Sequence, residues 1–137
     1  MASIYRVNIL EDKLKELTDA ALGVRGAVIV SIEGFVVAAH VPANVGSYES
    51  FTATDTPQVA AIAATLFALG EQTLSRLAQG KIERLLVEGK AGAIITYPIN
   101  EDAVLAAMVV KEAKMGLALL ATARTAGELA DILEGAR

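Results

Sequence analysis

Apolar positions recur along the chain with two different periods, and the switches between them mark its elements. Leu10, Leu14, Leu17 and Ala21 fall on one narrow stripe of a first helix, with Glu11, Asp12, Lys15, Glu16 and Asp19 facing elsewhere. Asn8 is placed to cap it and Glu11, three residues on, to return the capping bond. Gly23-Val24-Arg25-Gly26 breaks the period. Residues 27–32 then read as a β-branched strand apolar on both faces, and Glu33-Gly34 links it to a second strand over 35–41, predicting a hairpin. Residues 42–53 have no clear period and read as a loop whose Tyr48 and Phe51 tuck back onto the core.

Thr54 to Gly80 reads as one long helix. Asp55 or Thr56 caps it, Pro57 suits its first turn, and Gly80 closes it in the left-handed conformation. Stepping 100° per residue puts Val59, Ile62, Ala63, Leu66, Phe67, Leu69, Gly70, Leu74 and Leu77 on the side expected to lie on the core. The other side is plain, with Ala60, Ala61, Ala64 and Ala68 followed by Glu71, Gln72, Ser75, Arg76 and Gln79. Alanine favours helix at no side-chain entropy cost, so that side is either an exposed, stable helix face or a place where another backbone comes close. The second reading is preferred.

Residues 82–88 and 93–97 predict a second hairpin, and 103–110 a strand apolar on both faces and therefore central. Lys81, Glu83, Arg84 and Glu88 are too many charges for a strand paired on both sides, so 82–88 is an edge, able to match a second copy through its alternating signs. Gly116 to Gly135 is a last helix with Leu119, Ala123, Ala126, Leu129, Ala130 and Leu133 on one side and Leu117 and Leu120 packing sideways. The order helix, two strands, long helix, three strands, helix predicts one domain over residues 1–137, a three-layer α/β/α sandwich around a five-stranded antiparallel sheet.

Composition narrows the function more than the fold. The hydrophobic fraction is 54% and mean hydropathy +0.49, yet no apolar run reaches the roughly 18 residues of a membrane span, so membrane insertion is not expected. A net charge of −4 without a basic block, and only 4% aromatic residues, argue against nucleic acid as a partner. The absence of cysteine removes disulfides, thiol catalysis and cysteine metal sites, and the opening residues lack a secretory pattern, so a cytoplasmic protein is expected. His40 has no second histidine and no cysteine to share a metal with and reads as a surface or edge residue, and the serines have no paired base. Neither GVRG nor EGKAGA has phosphate-loop spacing. No catalytic residue, cofactor or metal is assigned, and the chain is read as a non-enzyme, ahead of an enzyme or small-ligand sensor.

Three stretches, GVRGAVIVSIEGFVVAAHV, ERLLVEGKAGAIITYPINEDAVLAAMV and MGLALLATARTAGELADIL, resemble in order and spacing the Roadblock (dynein light chain) superfamily, including its MglB-type bacterial regulators of small Ras-like GTPases. The resemblance covers about Val7 to Glu134 and implies a Roadblock/profilin-like fold and a homodimer or homologous heterodimer. In such a dimer the edge strand, here with Ile82, Arg84, Leu86 and Glu88, pairs across a two-fold axis, and the long helices lie side by side through Ala60, Ala64 and Ala68. It implies further that the helix surface, here with Ala61, Thr65 and Gln72, is a platform for a small Ras-like GTPase, as a GTPase-activating or scaffold protein. The alternative is a light-chain-like scaffold subunit for another protein, with no effect on nucleotide hydrolysis.

Overall fold

Valine, isoleucine and alanine occupy both faces of the central strands, and a sheet apolar on both faces must be covered on both. The computed structural model describes residues 3–20, 23–41 and 56–135. The elements are α1 (Ser3–Ala20), β1 (Val24–Ser31), β2 (Val36–His40), α2 (Thr56–Arg76), β3 (Leu85–Glu88), β4 (Gly92–Pro98), β5 (Ala103–Val110) and α3 (Met115–Gly135). The strands form one antiparallel sheet in the order β2-β1-β5-β4-β3. Helices α1 and α3 lie on one face and α2 on the other, the three-layer α/β/α arrangement expected from the sequence.

Register assigns the side chains to the two layers. Ile29 sits opposite Leu105 and Val28 opposite Ala106. Because successive side chains alternate, Ile29, Ile95 and Leu105 enter one core with Leu10, Leu14 and Leu17 of α1 and Leu129 of α3. Val28, Val30 and Ala106 enter the other with Ala60, Ala63 and Ala64 of α2. Lys13 Nζ lies 3.3 Å from Glu128 Oε1, tying α1 to α3; this hydrogen bond raises the lysine pKa, but a partly exposed pair contributes no more than about 1 kcal/mol.

Several expected boundaries move. Helix α1 begins at Ser3, so Asn8 lies inside it rather than capping it. Helix α2 ends at Arg76, a turn before Gly80. Ala78 takes the left-handed position (φ 57°), with Gln79 N–H donating to the Leu74 carbonyl at 2.9 Å and Ala78 N–H to that of Ser75 at 3.2 Å. These paired bonds satisfy the last carbonyls, which outweighs the cost of about 1 kcal/mol for alanine in that conformation. Strand β3 is shorter than 82–88, because Ile82 turns under α2 to pack with Phe67 and Val104. On α3, Leu117 and Leu120 are exposed and do not pack sideways. The loop over 42–53 with Tyr48 and Phe51, the start of the long helix at Thr54 and Asp55, and Ala21 lie outside the described residues.

Candidate functional site

The two faces of the sheet are covered unequally, and this imbalance sets the surface. A five-stranded sheet is about 20 Å across, whereas a packed helix covers roughly 10 Å. Two helices suffice for one face; α2 alone serves the other, packing mainly on β1, β2 and β5 and meeting β3 at Leu85. At the margin of that contact the same face presents Ile94 and Met108, half-buried against the α2 core, and beyond them Val87 on β3, exposed. An apolar strip beside α2, ending at the free edge of β3, is therefore left without a helix.

Helix α2 is rolled relative to the sequence expectation. Its buried residues are Thr56, Ala60, Ala63, Ala64 and Phe67, so the alanines set the helix backbone close against Val28, Val30 and Ala106. Ala60 is fully buried, at 0% exposure, and Ala64 is buried beside it. Both belong to the protomer's own core, which corrects their assignment to a face lying against a second copy. The larger side chains point away: Ile62 is 46% and Leu69 58% exposed, with Leu77 exposed and Leu66 half-buried on the same side. Ile62, Leu69 and Leu77, expected in the core, are thus surface residues.

Two contacts orient the flanks of α2. A Cβ on Gly70 would stand 3.0 Å from Ile82 Cδ1 and 3.8 Å from Leu85 Cδ1, so that flank faces β3. A Cβ on Gly34 would stand 3.7 Å from Ala61 Cα, so the other flank faces the β1–β2 turn. Leu66, Leu69, Gly70, Thr73 and Leu77 consequently line the side towards the uncovered strip. Ala61, Thr65 and Gln72 are exposed on the outward side, and Ala68 is exposed towards the β1–β2 turn rather than towards β3. Thr65 Oγ1 donates to the Ala61 carbonyl at 2.8 Å and Thr73 Oγ1 to that of Leu69 at 2.7 Å, so neither hydroxyl needs a partner from outside.

At the edge, Arg84, Leu86 and Glu88 are exposed, whereas Ile82 is only 7% exposed and belongs to the core under α2. The sequence signal that could have found the missed residues Leu66, Leu69 and Leu77 was their size: bulky apolar side chains opposite a run of alanines on a helix that has one sheet to pack on. Among the described residues no group of three or more His, Cys, Asp or Glu side chains is placed to hold a metal, and no helix is long and apolar enough to cross a membrane. His40 sits half-buried at the end of β2, opposite Ala27.

Comparison with known proteins points the same way as the architecture. A family model described as Roadblock/LC7 domain matches residues 10–109. The protein MJ0714 of Methanocaldococcus jannaschii is 29% identical over 98 residues, covering 72% of this chain and 73% of that protein. A solved structure described as MglB with tetrameric arrangement superposes with a TM-score of 0.83 at 20% identity, covering 96% of this chain and 93% of the other. The gliding protein MglB from Thermus thermophilus gives 0.80 at 19% identity, covering 98% and 93%. At these identities the solved structures establish a shared fold.

Proposed function

This chain belongs to the Roadblock/LC7 domain family, and on that premise we propose that it is a non-catalytic, dimeric regulatory or scaffold module of the cytoplasm that binds a small Ras-like GTPase on the outer side of α2. The observation that carries the proposal is the sheet face that α2 leaves half covered. A second copy related by a two-fold axis through the β3 edge brings its own α2 over that strip, and the two helices meet through Leu66, Leu69 and Leu77. Burying the part of these side chains still exposed yields about 1–2 kcal/mol each before the cost of association. Pairing β3 antiparallel with its copy about Leu86 sets Arg84 opposite Glu88 of the other chain, so the charges that keep this edge from stray partners select a like one. A solved MglB assembles as a tetramer, which supports self-association in this fold.

In the dimer the outward sides of both α2 helices form one surface, with Ala61, Thr65 and Gln72 from each chain. Resemblance to MglB-type regulators supplies the partner class. Regulation then consists in positioning the GTPase's own catalytic groups, since no catalytic constellation is assigned in this chain. Single-turnover GTP hydrolysis by a small Ras-like GTPase from the same genome is expected to speed up when this protein is added, and Thr65→Arg is expected to abolish both the effect and the binding. Binding with unchanged hydrolysis would favour the second reading, a scaffold subunit; absence of binding to any such GTPase would remove the partner assignment.

A further inference from the structure

The end of the molecule formed by the β1–β2 and β4–β5 turns is acidic up to the start of β3, where Lys81 and Arg84 lie. Neither lysine nor arginine occurs between residues 26 and 75 or between 91 and 110, and these segments supply the β1–β2 turn, the β4–β5 turn and the adjoining flank of α2. Glu33, Glu71, Glu101 and Asp102 are all exposed there. Lys81 shares a cleft with Glu71 at the C-terminal end of α2 and marks where the acidic surface stops.

Within that acidic rim stand two large apolar side chains, Phe35 at 71% exposure and Ile32 at 48%. The backbone that carries them is well tied. Ser31 N–H donates to the Phe35 carbonyl at 2.8 Å, Gly34 N–H to the Ser31 carbonyl at 2.8 Å, and Phe35 N–H to Ser31 Oγ at 3.0 Å. Ile32 N–H donates to the Asp102 carbonyl at 3.0 Å, joining the two turns, and Ile32, Ala68 and Glu71 line one shallow cleft against α2. An aromatic side chain brings a large apolar area with only two side-chain torsions to order, and on a tied backbone it suits the anchoring of a partner.

We propose that this patch binds a basic, apolar segment of a partner protein, in which aliphatic or aromatic side chains cover Phe35 and Ile32 while flanking lysines or arginines meet Glu33, Glu71, Glu101 and Asp102. Charge complementarity selects this occupant. Nucleic acid and anionic lipid surfaces are repelled by the same carboxylates. The patch lies on the flank of α2 away from β3, so it stays open in the proposed dimer, and it borders the proposed GTPase platform where Gly34 approaches Ala61.

The test uses the full chain and a fluorescent helical peptide with leucine at i, i+3, i+4 and i+7 and lysine elsewhere, alongside the same peptide with glutamate in place of lysine. The lysine peptide is expected to bind, with backbone amide shifts concentrated at residues 31–36, 67–72 and 101–103, and the glutamate peptide is not. Phe35→Ser, and separately the pair Glu33→Lys and Asp102→Lys, are each expected to weaken binding about tenfold or more, with the affinity falling further as salt is raised. All three positions are exposed, and the circular dichroism of the variants checks that they fold. Lysine-peptide binding that is absent, maps elsewhere, is matched by the glutamate peptide or is unchanged in the variants overturns the inference.

Discussion

Leu69→Glu is expected to turn a dimer into a folded monomer. Leu69 is 58% exposed in the protomer, so the substitution removes no core contact and costs the isolated fold about 0.5 kcal/mol or less. In the proposed dimer the same position lies against the second α2, where a carboxylate displaces an apolar contact. Losses of about 2–4 kcal/mol are typical of central interface positions, a weakening of roughly 30-fold to several hundred-fold. Circular dichroism is expected to stay native while the sedimentation mass halves. Ala60→Glu, one face round on the same helix, is expected to do the opposite. It forces a carboxylate into a site with 0% exposure between Val28, Val30 and Ala106, and so unfolds the protomer itself.

Gly92→Val is expected to destabilise the sheet by about 3 kcal/mol or more, a fall in melting temperature of roughly 10 °C for a domain of this size. Gly92 opens β4 opposite Val110, at φ +158°, and a Cβ there would stand 2.6 Å from the Val109 carbonyl oxygen. The obstacle is backbone of the neighbouring strand, so relief requires prising β4 from β5, the ladder that joins the two halves of the molecule. Gly89→Ala is the control. Its added Cβ would meet only the Gly92 carbonyl oxygen, at 3.6 Å, an ordinary contact, and little change is expected. Urea unfolding at one fixed protein concentration measures both, because the proposed dimerisation would make the midpoint depend on concentration.

The fold was legible because period and punctuation agreed along most of the chain. Leu10, Leu14 and Leu17 are buried as their stripe requires, the runs around Ile29 and Leu105 became central paired strands, and the charges at 83–88 marked the edge. What misled was the orientation of α2. Helical periodicity points the bulkiest apolar residues at the core, but α2 meets its sheet through Ala60, Ala63 and Ala64, whose small size lets the backbones approach. The bulky residues Ile62 and Leu69 are consequently left on the outside. A helix apolar on both sides leaves one of them beyond its own sheet, the side that the proposed dimer would cover.

Edge and helix end failed for local reasons. Ile82 was counted with β3 because it continues an apolar run, but the left-handed turns at Ala78 and Gly80 bring it under α2 before the strand begins. The closing bond from Gln79 to the Leu74 carbonyl then fixed an alanine where a glycine was expected, because two satisfied carbonyls outweigh the strain of one residue. The outward residues Ala61, Thr65 and Gln72 and the edge residues Arg84, Leu86 and Glu88 are placed where a partner can reach them.

In the proposed dimer a second copy of the same chain covers the apolar strip beside α2. Sedimentation equilibrium of the unmodified protein across the micromolar range is expected to give twice the 14.3 kDa mass of one chain, falling to a single chain's mass in Leu69→Glu; a mass of 14.3 kDa for the unmodified protein throughout that range would rule the dimer out.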